Sequence, residues 1–325
     1  MMRITDAFRY NFYVTTLNNI QAQINRDENE VASGLQVIDP SDNPAAYSQN
    51  MEIQAEESTN TQYATTLNSL TTQGTFYSSA VNTIGNVLTS VQQLAIEQSS
   101  STVNADSRSS AADEVNGLIE QLAAVGNTKV GDSYIFGGTM SNNAPYAVDT
   151  SSGAPVVTFE GSADVNQVAV TSSTTVDAGI SGNTIFNGTV SGETVTIGGV
   201  AQSNIDLFKV LQQFSQDLAN TAGLTTAQQT TALQTDLANI NNCVDLTADN
   251  LASVGTYTKN ISNLLTANGT ASTTLSEDSG DLVNANMAKV VSDYSTLTTA
   301  YQAALYTMSK MESLSILNYL SASSV

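Results

Sequence analysis

The side chains of this 325-residue chain best suited to chemistry are carboxylates, and their setting argues for solvent contact. Glu52, Glu56 and Glu57 cluster in one stretch, and Glu56 lies four residues beyond Glu52, on the same face of any helix they share. General acid and base work needs groups whose pKa values are pushed apart, and no histidine, lysine or arginine stands beside them to do so. They read as a solvated acidic face. The chain has no histidine at all, which rules out a Ser-His-Asp arrangement. Asp39, Ser41, Asp42 and Asn43 could begin a calcium loop, but neither the turn glycine nor the closing bidentate glutamate follows at the required spacing. Gly137 and Gly138 after Tyr134, Ile135 and Phe136 read as a turn, since no helix with a phosphate fingerprint follows them. The single cysteine, Cys243, cannot form an intrachain disulfide, and beside Val244 on an apolar-striped stretch it reads as a small buried filler. Neither a cofactor, nor a metal, nor an enzymatic activity is expected.

The stronger signals are stripes. In the last forty residues Met287, Val290, Tyr294, Leu297, Tyr301, Ala304, Met308 and Met311 recur at alternating steps of three and four, the a/d seam of a coiled coil, and Leu314 and Leu317 lie beyond them. A weaker seam runs through Tyr10, Val14, Leu17, Gln21, Ile24, Glu28 and Val31. A helix over about 283 to 317 would be roughly 50 Å long at ~1.5 Å per residue, too long and narrow to hide its own apolar face. The expected interface, with another subunit or a chaperone, is therefore Tyr10, Val14, Leu17, Ile24 and Val31 together with Met287, Val290, Tyr294, Leu297, Tyr301, Met308, Met311, Leu314 and Leu317.

Between the ends, Asp42 or Asn43 before Pro44 predicts a helix start, and a heptad rhythm runs from Ile53 through Leu67, Tyr77, Ile84 and Val91 to Ala95. A shorter helix carries Ala111, Val115, Leu118, Leu122 and Val125, and a long return helix carries Leu233, Ile240, Val254, Ile261 and Leu265. From about 140 to 203 the pattern changes to short β-branched runs, PVVTF, NQVAV and ETVTI, separated by Gly, Ser, Asp and Asn, with Gly198-Gly199 as a hairpin turn. An amphipathic helix follows over NIDLFKVLQQFSQDLAN. The expected fold is mainly α with a β insertion: a long antiparallel helical rod or coiled coil made from both termini, carrying a small central β domain. The expected division is 1–40 with 281–325 for assembly, 41–140 with 204–280 for the helical rod and a hairpin near 131–139, and 141–203 for the β insertion.

Net charge is −21, and the two ends carry almost none of it: residues 1–38 and 281–325 each stand at −1. Near-neutral ends can pack against copies of themselves, while the acidic middle faces water. The same charge excludes nucleic acid and anionic membrane surfaces as partners. Neither a continuous apolar leader nor a run of roughly 18 to 20 apolar residues is present, so neither general secretion nor membrane insertion is expected.

Four strings, in order, carry a family resemblance: MRIT at Met2 to Thr5, VASGLQVIDPSDNPAAY, GDSYIFGGT, and the closing AYQAALYTMSKMESLSILNYL. Together they resemble the flagellin family, and the YIFGG and SILNYL strings resemble the branch that forms the junction between flagellar hook and filament. The resemblance implies a helical core built from both termini, exposed before assembly and ordered in a tubular polymer. It also implies export by the flagellar type III apparatus with a chaperone on the C-terminal part, and partners that are hook-associated protein 1, flagellin and copies of the chain in a ring or tube. The implied place is the extracellular flagellum. A filament flagellin is the first alternative; a secreted coiled-coil adhesin or effector is the second.

Overall fold

The computed structural model describes residues 2–151, 153–189 and 194–322, with side chains described from 8 to 311. In chain order the elements are α1 (Met2–Ser33), α2 (Pro44–Gln98), α3 (Ala105–Gly126), β1 (Lys129–Val130), β2 (Ser133–Tyr134), β3 (Tyr146–Asp149), β4 (Val156–Phe159), β5 (Gln167–Ala169) and β6 (Thr175–Asp177). They continue as α4 (Gly182–Phe186), β7 (Asn187–Gly188), β8 (Val195–Ile197), β9 (Val200–Gln202), β10 (Ile205–Asp206), α5 (Leu207–Leu218), α6 (Thr226–Val283) and α7 (Met287–Ala322). The fold is mainly α with a small β insertion. Two compact units divide it, a terminal one (residues up to Thr59 and from Ala271 onward) and a central one (Asn60–Thr270), with the division falling inside α2 and α6.

Local chemistry sets the helix ends. Asn43, the residue before Pro44, accepts from Ala46 N through Oδ1 at 3.2 Å, so α2 starts at Pro44 as the sequence suggested. Asn104 caps α3 by accepting from Ser107 N, and Asp206 caps α5 by accepting from Phe208 N and Lys209 N. Thr225 and Gln228 cap α6 reciprocally: Gln228 N donates to Thr225 Oγ1, and Thr225 N to Gln228 Oε1. The C-terminal helix begins at Met287, four residues after the expected 283, because the chain first forms a bridge between Leu35 and Asn284.

In the central unit α2 and α6 run antiparallel. Gln92 Nε2 donates to Asn241 Oδ1 at 2.7 Å, and further along Asn60 Nδ2 donates to Asn268 O at 3.0 Å. The β segment is five separate antiparallel two-stranded ribbons, β1-β2, β3-β4, β5-β6, β7-β10 and β8-β9. They share the helices' core instead of building one of their own. Tyr146, Val195 and Ile205 are buried in one cluster with Val81, Ile84, Leu88, Ile119 and Ile240. Its centre is aromatic: Phe186 stacks on Phe208 at 5.1 Å and meets Phe136 and Tyr146 edge-on.

Asn239 clamps β8 by accepting from Thr196 N and donating to Thr196 O, since a short ribbon has few neighbours to satisfy its backbone. Gly198 and Gly199, both at positive φ, turn β8 into β9 as expected. The expected hairpin near 131–139 closes earlier, as Lys129 pairs with Tyr134 and Val130 with Ser133. Gly138, at φ 62°, belongs to a second turn tied to the next segment: Thr139 N donates to Asp164 O and Ser162 N to Gly137 O. A side chain at Gly138 would collide with the carbonyls of Ser162 and Asp164.

Candidate functional site

The residues singled out by their spacing lie on α1 and α7, which pack along one another in the terminal unit. On α7 the stripe turns inward. Val290 is buried, and Tyr294, Leu297, Tyr301, Met308 and Met311 are half-buried, while Met287 at the helix start is exposed. On α1 Leu17 and Ile24 are buried and Val14 is half-buried, whereas Tyr10 and Val31 are exposed. The side chains of Leu314 and Leu317 lie outside the described residues. The inward face of α1 is centred on Leu17 and Ile24 and includes Tyr13, Ile20 and Asp27, half-buried residues that the predicted seam skipped.

Periodicity also missed a set of exposed apolar side chains on the same helices. Phe8 is 72% exposed, Phe12 61% and Tyr306 67%, and Val291 and Leu305 are exposed with them. Scattered apolar side chains on a surface are normal, but four exposed aromatic rings on one helix pair, Tyr10 included, are not. Their signal was present in the Phe8 and Phe12 spacing of four, which places both rings on one side of α1.

Few polar contacts tie the two helices. Tyr294 Oη donates to Glu28 Oε1 at 3.1 Å, and that bond raises the tyrosine pKa. Asp27 sits half-buried and its carboxyl is raised, first by burial and then by the negative charges of Glu30 and Asp293. Within α1, Arg26 Nε pairs with Glu30 at 2.9 Å, and its Nη2 lies 3.9 Å from Asp42 of the following loop. Such pairs contribute about 0–1 kcal/mol when solvent reaches them, so apolar contact dominates the pairing.

Beyond α1, Gln36 N donates to Val283 O and Ala285 N to Gly34 O, and Val37, Ala46 and Val283 form a small core. Asp42, one of the residues weighed as a calcium ligand, accepts from Ile38 N and Asp39 N through Oδ2, and these bonds lower its pKa. Its carboxylate serves the loop. Among the described residues no three His, Cys, Asp or Glu side chains are grouped to hold a metal ion. Glu52 and Glu56 line an open cleft of about 440 Å³ with Asp278 and Asp281, which gathers four carboxylates and nothing basic. Cys243 is fully buried, as expected, and its thiol pKa is raised by that burial. Among the described residues no helix is long and apolar enough to cross a membrane.

The described surface with the most exposed aromatic side chains lies on the pair of terminal helices. Residues 8–141 match the family described as bacterial flagellin N-terminal helical region. The chain is 24% identical to flagellar hook-associated protein 3 of Escherichia coli (strain K12) over 319 residues, which cover 97% of this chain and 98% of that protein. It is 27% identical over 146 residues to flagellar hook-associated protein 3 of Salmonella typhimurium, covering 45% of this chain and 46% of that one. Among solved structures it resembles a putative flagellar hook-associated protein from Vibrio parahaemolyticus, with TM-score 0.61 at 20% identity, covering 75% of this chain and all of that one. It also resembles flagellar hook associated protein-3 from Legionella pneumophila, with TM-score 0.57 at 15% identity, covering 70% and 98%.

Over residues 8–141 the chain resembles the class of bacterial flagellins in their N-terminal helical region. Within that class its likeness is to hook-associated protein 3, across nearly its whole length.

Proposed function

We propose that this chain joins hook to filament by polymerising through its terminal helices. The observation that carries the reading is the divided burial of the α1 and α7 pair: between the helices Leu17, Ile24 and Val290 are closed, while outside that contact Phe8 and Phe12 on α1 and Tyr306 on α7 stay in water. Full burial of one such ring against a neighbour contributes about 1.5–3 kcal/mol, so a few of them on each of two partners can drive association. The near-neutral ends remove the charge repulsion that an acidic chain would otherwise meet in a dense lattice.

On this reading residues 1–40 and 281–325 form the assembly region. Its partners are copies of the chain in a ring or tube, with hook-associated protein 1 and flagellin on either side. Before export through the flagellar type III apparatus, a chaperone competes with α1 for the stripe of Tyr294, Leu297, Tyr301 and Met308, because an open apolar stripe is an aggregation hazard.

The test is removal of residues 1–38 or of 283–325 in motile cells, followed by inspection of the filaments. Hooks without filaments are expected from both truncations. A filament of normal length from either one refutes the role given to the ends.

A further inference from the structure

The ribbons β7-β10 and β8-β9 meet one stripe of α6, and they meet it in reverse order. Asn239, Asn242, Leu246 and Asn250 follow one another at steps of three, four and four, which places them on a single face of that helix. Asn239 accepts from Thr196 N at 3.0 Å and donates to Thr196 O at 2.8 Å. Asn242 Nδ2 donates to Thr194 O at 3.1 Å, and Asn250 Nδ2 to Ile185 O at 2.8 Å. Between them Leu246 lies against Gly188, where an added Cβ would stand 2.8 Å from Leu246 Cδ1. As α6 advances from 239 to 250, its partners run back from 196 to 185. Tyr257 continues the reversal by donating to Asp177 O at 3.1 Å.

Each hydrogen bond in the series goes to backbone, so α6 supplies what a neighbouring strand would. Thr196 shows it most plainly. Ile197 pairs with Val200 around the Gly198-Gly199 turn, which points Thr196 N and O away from β9, and the carboxamide of Asn239 meets both.

The dependence runs one way. β8-β9 has three paired positions and β7-β10 two, and a lone two-stranded ribbon is marginal in water. Their apolar residues Val195 and Ile205 are buried in the core that also holds Ile240, Leu246 and Val254 of α6. The helix needs less in return, because its backbone bonds are internal and it packs on α2 through Asn241 with Gln92 and Asn268 with Asn60. Residues just before the ribbons have earlier partners: Gly182 N donates to Phe136 O, and Ser181 Oγ to Ser162 O. The side chains bonded to the backbone of β8 and of Thr194 come from α6.

We propose that α6 is the template on which the ribbons β7-β10 and β8-β9 fold, so that they stay open until a helix that follows them in the chain has formed. A chain made from its N-terminus delivers these ribbons ahead of residues 239–250. They wait for that stripe, whereas β2 and β3 are met by side chains that precede them: Tyr77 donates to Ile135 O, and Asn127 pairs with both Tyr146 N and O.

The experiment refolds the full chain from denaturant, labels its amides in timed pulses and reads them by mass spectrometry. Protection at 195–202 is expected no earlier than protection at 239–250. Asn239→Leu keeps the size of the side chain and removes its pairing. In that variant the 239–250 amides should gain protection at the wild-type rate, while those at 195–202 end roughly tenfold less protected than in the wild type. Ribbon amides protected ahead of α6 in the wild type overturn the proposal. So does a variant in which protection of 195–202 is unchanged, or in which α6 shares the loss equally. Should the variant not fold, the order of protection in the wild type decides.

Discussion

The terminal and central units bury their apolar side chains in opposite ways. The central unit closes around Phe136, Tyr146, Phe186, Phe208 and Phe214, all buried, and asparagines reaching from α6 hold β8, through Asn239, and α4, through Asn250. The terminal unit fully buries aliphatic residues, Leu17, Ile24, Val37, Val283 and Val290, half-buries Tyr13, Tyr294 and Tyr301, and leaves Phe8, Phe12 and Tyr306 in water. A helix pair has one mutual face, so half of its circumference needs something else to cover it. Rings fully buried in one region and partly or wholly exposed in the other are what the proposed assembly through the ends would finish covering.

The comparison can be broken most directly at the aromatic cluster. Phe186→Ala is expected to cost the central unit about 3–5 kcal/mol, read as a fall in its denaturant midpoint, because a ring packed on three others cannot be replaced by collapse. Ile24→Ala should cost about 2–4 kcal/mol, but the loss should appear as faster amide exchange in α1 and α7 with the central unit unchanged. If that substitution lowered protection of the central helices equally, the contrast between the units would fail.

A substitution on the outer face sharpens the contrast from the other side. Phe12→Ser with Tyr306→Ser is expected to leave monomer stability within about 0.5 kcal/mol, while incorporation at the hook end, counted by electron microscopy, drops severely. The smallest effects are electrostatic. Asp27 is raised, so its ionised form opposes the pairing; Asp27→Asn should firm α1 against proteolysis at neutral pH, with the advantage fading as pH falls through the aspartate range. Asp42 is lowered by the backbone of Ile38 and Asp39, so its contribution is present at neutral pH and lost as pH falls through its folded pKa. The measurement is cleavage of the 34–43 loop at neutral and acid pH, where the wild type should lose protection on acidification and Asp42→Ala should lack it throughout.

Much of the helical framework was legible because its signal is periodic. Val290, Tyr294, Leu297, Tyr301 and Met308 all turn inward as their steps of three and four require, and Pro44 starts α2 where an asparagine can cap it. The α1 seam was only half legible. Polar Gln21 and Glu28 interrupt it, and the face that packs is shifted toward Tyr13, Ile20 and Asp27 by the ring of contacts α7 can reach. Phe8 and Phe12 were unread because a count of apolar spacing finds the face with most members, not the face left without a partner.

Residue order alone settled the long helical stretches, the start of α2 at Pro44, that the ends are near neutral and that a turn falls at Gly198-Gly199, since these depend on neighbours within a few positions. Packing decided the rest. Asn239 and its partner Thr196 lie on different elements, and no local pattern distinguishes that asparagine from the exposed ones elsewhere in the chain. Likewise only the pairing of α1 with α7 separates the apolar side chains that are covered from those that are not, because burial is a property of what arrives from elsewhere in the chain.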